Sequence, residues 1–177
     1  RRTDQRRHFG RVSYEWRPET WIISWGPRFN YVRNYDFANV LQDEEARLGL
    51  NLNFAQNIRA NVDIDRDMER FEGIDFHKRR YRIGGNVGTS QAVSLRGGFS
   101  WGDAIYFDTA NPFLGYERGM NLFGIIRLGS RFASGIGVNT SRFTDRLNLF
   151  DSELNEGEVG ADGEIFDVKI FRAQSSY

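Results

Sequence analysis

Residues 48–65 carry the pattern that most constrains the fold. Leu48, Leu50, Leu52 and Phe54 alternate with Gly49, Asn51 and Asn53. After Ala55-Gln56-Asn57, residues Ile58, Ala60, Val62 and Ile64 alternate with Arg59, Asn61, Asp63 and Asp65. A period of two residues belongs to a strand, because successive side chains of a strand point to opposite faces. If the chain reverses at Gln56, Phe54 faces Ile58, Leu52 faces Ala60, Leu50 faces Val62 and Leu48 faces Ile64. One face of the hairpin is then wholly apolar and the other wholly polar. A wall with lipid on one side and water on the other needs that division. A soluble sandwich strand also alternates, so one hairpin does not decide between them.

The pattern recurs along the chain. Val12, Tyr14 and Trp16 form one apolar set, and Trp21, Ile23, Trp25, Pro27, Phe29 and Tyr31 another. Pro27 inside such a run predicts a bulge or an unpaired position. Tyr81, Ile83 and Val87 oppose Lys78, Arg80 and Arg82. Val93, Leu95, Phe99 and Trp101 follow, then Met120, Leu122, Ile126 and Leu128, then Ile136, Val138 and Thr140. The run 166–177 is ambiguous, because Phe171 breaks its alternation. Nine strands are expected. Short turns are predicted near 18, 56, 90 and 130, and long loops near 40, 72, 110 and 155. Across the turn at 90, the expected partners are Val87 with Val93, Gly85 with Leu95, Ile83 with Gly97 and Tyr81 with Phe99. Short turns alternating with long loops are a habit of outer-membrane barrels.

Composition agrees with that reading. Mean hydropathy is −0.57, and no apolar run approaches the ~20 residues of a membrane helix. In a barrel only alternate residues meet lipid, so low hydropathy is no obstacle. Aromatics make up 15 % of the chain, with 19 Gly and only 3 Pro. Net charge is zero, which offers no field to attract nucleic acid. Cysteine is absent. The chain opens Arg1-Arg2-Thr3-Asp4 without Met or an apolar leader. The expectation is a removed export signal or an internal piece of a longer chain.

The expected fold is therefore all-β: a section of an antiparallel up-and-down transmembrane β-barrel of about nine strands. Residues 1–177 are expected to form part of a single larger barrel domain, with further strands outside them. The lipid-facing set is Leu50, Leu52, Phe54, Val62, Ile64, Tyr81, Ile83, Leu95, Phe99, Leu122 and Val138. The lumen-lining set is Arg59, Asn61, Asp63, Asp65, Asp67, Lys78, Arg80, Arg82 and Arg96. Trp16, Trp21, Trp25 and Trp101, with Tyr106 beside the last, are expected in aromatic girdles at the two interfaces.

Signals of catalysis are weak. His8 and His77 are the only histidines, and His77 reads as a loop-edge residue before it reads as half of a Ser–His pair. No zinc spacing occurs. Gly84-Gly85-Asn86-Val87-Gly88 lies in a strand before a turn, not before a helix, so it is a poor phosphate loop. Asp103 and Asp108 show no acid–base spacing. The acids Glu153, Glu156, Glu158, Asp162 and Glu164 lack calcium-loop spacing and read as a solvated loop. The basic residues Arg1, Arg2, Arg6 and Arg7 read as a solvated arm or as a patch near anionic headgroups. No catalytic residue, metal or cofactor is expected.

The strongest constellation is the charged stripe. Keeping acid and base on one face, the return through 71–76 predicts Asp67 across from Arg80 and Asp65 across from Arg82. The stripe is either a hydrated wall of weak ion pairs or a selectivity lining. Under the second reading, Asp65→Arg with Asp67→Arg is expected to shift ion preference toward anions with little change in folding.

Several phrases resemble a known family: Trp25-Gly26-Pro27, Leu41-Gln42-Asp43-Glu44-Glu45, Asp67-Met68-Glu69-Arg70-Phe71, Asn111-Pro112-Phe113, residues 139–145 (NTSRFTD) and residues 166–172 (FDVKIFR). They resemble an uncharacterised β-barrel family from the envelope of Bacteroidota and related phyla. In that family a module similar to family 9 carbohydrate-binding domains precedes the barrel. The resemblance spans nearly the whole chain and implies an outer-membrane barrel, linked to glycan handling through the absent module. It offers no chemistry to carry over residue by residue. Three functions stay open: a channel or transporter for polar solutes, a membrane anchor or scaffold for a carbohydrate-binding or secretion-linked module, and, last, a soluble carbohydrate-binding β-protein. The expected partners are outer-membrane lipid, other envelope proteins, and a small polar solute or glycan, with no nucleic acid.

Overall fold

The computed structural model describes residues 5–18, 20–88, 92–128, 132–145 and 164–176. The strands are β1 (Gln5–Ser13), β2 (Ile22–Asp36), β3 (Leu41–Phe54), β4 (Ile58–Phe71), β5 (Ile74–Val87), β6 (Val93–Tyr106), β7 (Phe113–Leu128), β8 (Phe132–Asp145) and β9 (Glu164–Ser176). They form one sheet in strict chain order, each strand antiparallel to the next. The sheet is open: among the described residues β1 and β9 are its two edges and do not pair. One 3-10 turn, Ala55–Asn57, is the sole helical element among the described residues. The expected turns at 89–91 and 129–131 lie outside the described residues, as do Arg1, Arg2, Glu153, Glu156, Glu158 and Asp162.

The hairpin at Gln56 has the expected register, with Phe54 opposite Ile58 and Leu48 opposite Ile64. Gln56 and Asn57 take positive φ (62° and 57°) to turn the chain. Two other registers differ from expectation by two residues. Asp67 faces Lys78, Asp65 faces Arg80 and Asp63 faces Arg82. The cause is the turn: Glu72 and Gly73, at φ 48° and 78°, reverse the chain in two residues, and Phe71 pairs directly with Ile74. That is the tight hairpin geometry that matches strand twist. On the next pair Val87 faces Leu95, Gly85 faces Gly97, Ile83 faces Phe99 and Tyr81 faces Trp101. Glycine therefore meets glycine, rather than a large side chain. A slip of two preserves parity, so Asp63 to Asp67, Lys78 to Arg82 and the apolar residues paired across these two ladders keep their expected faces.

The alternation of short and long connections does not hold. The β2–β3 connection is four residues, 37–40, and the β4–β5 turn is two. The polar segments around 34–36 and 41–45, expected in a loop, are strand. Strands β2 to β8 run 14 to 16 residues and extend as hairpins beyond their apolar stretch. Outside that stretch both faces of β2 to β5 carry charged residues, which reads as loop by composition alone. Pro27 makes no bulge either: it pairs with Leu50 in unbroken register. Its carbonyl accepts from Tyr14 N–H, so its missing donor faces β1, at the end of that strand.

Within the apolar stretch burial is inverted with respect to a soluble core, while the buried apolar residues, Met68, Phe76, Ala104, Ile105 and Phe143, lie in the strand ends beyond it. On the apolar face Val62, Ile64, Ile83, Leu95, Phe99 and Leu122 are between 39 % and 46 % exposed. On the polar face Asp63 and Asp65 are only 5 % and 2 % exposed. A hollow of about 600 Å³ on that polar face is lined by Arg11 of β1, Arg28 of β2, Asn51 of β3, Asn61 of β4 and Asn86 of β5. Flat, β1 and β5 would lie about 19 Å apart. Sharing one hollow requires the sheet to curl with its polar face inside.

Candidate functional site on the concave polar face

All nine expected lining residues lie on the concave face. Register aligns Arg59 with Asn86 and Arg96, and Asn61 with Gly84. Asp63, Asp65 and Asp67 occupy the same face, beside Arg82, Arg80 and Lys78. The structure separates the three aspartates, however. Asp63 receives Arg28 Nη2 at 2.7 and 2.9 Å and Asn61 Nδ2 at 3.2 Å. Asp65 sits between two arginines: Arg47 Nε donates at 2.6 Å to Oδ1, and Arg82 binds Oδ2. The expected Asp65–Arg82 pair thus exists, but on a diagonal. Lys78 turns to Glu69 instead of Asp67. The Oδ1 of Asp67 is buried with no hydrogen-bond partner.

Arg28 and Arg47 were not in the expected set. Their parity was legible, since both alternate with apolar neighbours. Their partners were not, because Arg28 reaches Asp63 across an intervening strand. Gly49 lies between them in register. A Cβ there would stand 2.3 Å from Asp63 Oδ1 and 2.6 Å from Arg28 Nε. The missing side chain opens the space in which the pair forms.

Next to the ion pairs runs an uncharged row: Asn51, Asn61, Gly84, Gly98, Asn121 and Asn139 stand side by side on β3 to β8. The Asn61 and Asn121 amides lie over Gly84 and Gly98, 3.1 and 3.3 Å from where a Cβ would be. Amides offer both donors and acceptors to hydroxyl-bearing solutes. Toward the far ends of β6–β8 the concave face becomes aromatic. Tyr106 stacks on Phe113 at 5.1 Å and approaches Phe143 at 6.1 Å. Tyr106 was expected in an outer girdle. Register instead puts it on the concave side, opposite Phe113.

The convex face carries the expected lipid-facing residues. Register aligns Leu50 with Val62 and Ile83, and Leu52 with Ala60. Phe54 and Ile58, Ile64 and Tyr81, Leu95 and Val87, and Leu122 and Val138 continue the same face. Leu50, Leu52, Phe54, Tyr81 and Val138 are half-buried by their neighbours and none is fully buried. At the Gln56 end, Trp16 stacks on Trp25 at 4.6 Å and Trp21 on Phe54 at 5.3 Å. At the other limit of the apolar stretch Trp101 stacks on Tyr81 at 5.6 Å. Level with it stand Arg118 and Arg142, and beyond it on β2 to β5 the convex face turns charged, with Arg33, Arg66 and Arg79. At the β4–β5 tip, farther still, the hydrogen bond from Arg70 holds the Asp75 carboxyl below its usual range.

Among the described residues no group of three or more His, Asp or Glu side chains is placed to hold a metal ion. His77 is exposed and stands opposite Met68 on the convex face. Neither a family model, nor a curated protein, nor a solved structure matches the chain.

Proposed function

We propose that this chain is a sector of the wall of a bacterial outer-membrane β-barrel that passes polar solutes along a mixed-charge inner face. The observation that carries the reading is the inverted burial: large apolar residues half exposed on the convex face, aspartates shielded on the concave one. In water that arrangement leaves a broad apolar surface without a partner. In a bilayer the same surface is solvated by acyl chains, while the concave face keeps its water. The apolar stretch supports it, since Ile58 to Ile64 covers about 20–24 Å along the strand before Arg66 ends it. Aromatic residues stand at both limits, where amphipathic rings are favoured. In that setting β1 and β9 need pairing partners, because an unpaired edge in hydrocarbon costs several kcal/mol per backbone group. Further strands of the same wall supply them.

One observation favours a second reading, a barrel that anchors a glycan-binding or secretion-linked module. The charges of the concave face largely satisfy one another, which suits a filled interior as well as a pathway. Planar-bilayer recordings of the protein separate the two. Ion-conducting steps that change with Asp67→Arg are expected for the pathway. A tight bilayer with inserted protein would contradict it.

A further inference from the structure

The convex face sets like charges directly across the ladder, and for one such pair, Arg66 with Arg79, no ion pair among the described residues offsets them. Arg66 on β4 stands directly opposite Arg79 on β5, and Arg118 on β7 directly opposite Arg142 on β8. Like charges directly across a ladder are destabilising. Arg66 and Arg79 follow immediately on the last apolar pair of their strands, Ile64 with Tyr81. Arg66 and Arg79 are exposed, and among the described residues neither guanidinium makes an ion pair.

Two of the nearby carboxylates, Glu44 and Asp75, are already paired with other arginines. Glu44 accepts from Tyr31 Oη at 2.6 Å and Arg33 at 3.1 Å. Asp75 is held by Arg70 through two hydrogen bonds. Asp103 Oδ2 accepts the backbone N–H of Arg79 at 2.9 Å. Glu44, Asp75 and Asp103 line an open depression of about 900 Å³ together with Arg66, Arg79 and Asp67. At its β6 side the β5–β6 ladder stops at Arg80 and Gly102. Gly102, at φ 145°, passes so close that a Cβ would lie 2.2 Å from Arg79 O.

We propose that the Arg66–Arg79 pair seats a phosphate of an anionic lipid headgroup. The inference rests on the reading of this face as lipid-facing. Two forked guanidinium groups can each offer parallel donors to a phosphate, which a point-charge lysine cannot. The bound anion removes the repulsion between them. The acyl chains of the same lipid then continue over Ile64, Tyr81 and Ile83, directly along the strands. A free anion would use the arginines alone, so the apolar continuation is what commits the site to a lipid.

The test uses the whole protein in nanodiscs of phosphatidylcholine containing a small share of phosphatidylglycerol. Co-purifying lipid is read by mass spectrometry, and insertion by quenching of tryptophan with brominated phosphatidylcholine. Wild type is expected to enrich phosphatidylglycerol by about tenfold, given the attraction of each basic side chain at a membrane surface. Arg66→Gln with Arg79→Gln should abolish the enrichment and leave quenching unchanged. Arg79→Glu guards against misfolding: it replaces a repulsive cross-strand pair with an attractive one, so the hairpin should hold while the enrichment disappears. Arg7→Gln with Arg11→Gln removes the same charge from the concave face and should leave the enrichment intact. Enrichment that survives Arg79→Glu, or that millimolar inorganic phosphate abolishes, overturns the proposal while the wall reading stands. Loss of quenching in wild type would overturn the wall reading itself.

Discussion

Arg28 on β2 and Asp63 on β4 meet over Gly49 of the strand between them, with Nη2 2.7 Å from Oδ1. The contact spans two strand spacings and ties three strands on the concave face. It depends on a residue that contributes no atom to it.

Gly49→Ala is expected to break that pair. The added Cβ would fall 2.3 Å from Asp63 Oδ1, a distance that forces either the carboxylate or the backbone to move. Overpacking of this kind costs about 1–3 kcal/mol. Urea titration in detergent should show the loss, and Gly49→Ala combined with Arg28→Ala should recover part of it. Full wild-type stability in the single variant would show that the pair is dispensable.

Asp65 and Asp67 should answer differently to the same substitution. Asp65, with a side chain only 3 % exposed, neutralises Arg47 and Arg82 together. Asp65→Asn leaves two cations facing each other and is expected to cost about 3 kcal/mol. Asp67 has no direct partner for its buried Oδ1. Asp67→Asn should be neutral or stabilising by up to about 1 kcal/mol. Equal effects in denaturant titrations would mean that the two arginines do not matter. It follows that Asp65→Arg would disturb folding, so ion preference is better probed through Asp67 alone.

The β4–β5 turn asks Glu72 for φ 48°, a region that favours Asn and Asp over longer side chains. Glu72→Asn should stabilise the hairpin by about 0.5 kcal/mol. A higher midpoint of thermal unfolding checks it, and a lower one would count against the turn geometry.

Strand identity and facing could be read from the sequence because they depend on parity alone. The hairpin at Gln56 also gave its register, since Leu48 to Phe54 and Ile58 to Ile64 fix both arms. Register at Glu72-Gly73 could not be read in the same way. There Asp63, Asp65 and Asp67 face Lys78, Arg80 and Arg82, and shifting one triplet by two residues still sets acid against base. Only the length of the turn breaks the tie, and a polar hairpin end such as 67–78 looks like a loop. The Arg28–Asp63 contact was hidden for another reason. It joins strands that are not neighbours, through an absence at Gly49, and no pattern within one strand records that.

The measurement that tests the membrane-wall reading most directly is a cysteine scan of β4. The chain has no native cysteine, so single substitutions can carry one fluorophore each. With the protein in vesicles containing brominated lipid, label at Ile58, Ala60, Val62 and Ile64 should be strongly quenched. Label at Arg59, Asn61 and Asp67 should be quenched little and remain open to aqueous iodide. That two-residue alternation is the expected result. Uniform protection from lipid along β4, or quenching at the polar positions instead, would contradict it and return the apolar face to a protein partner.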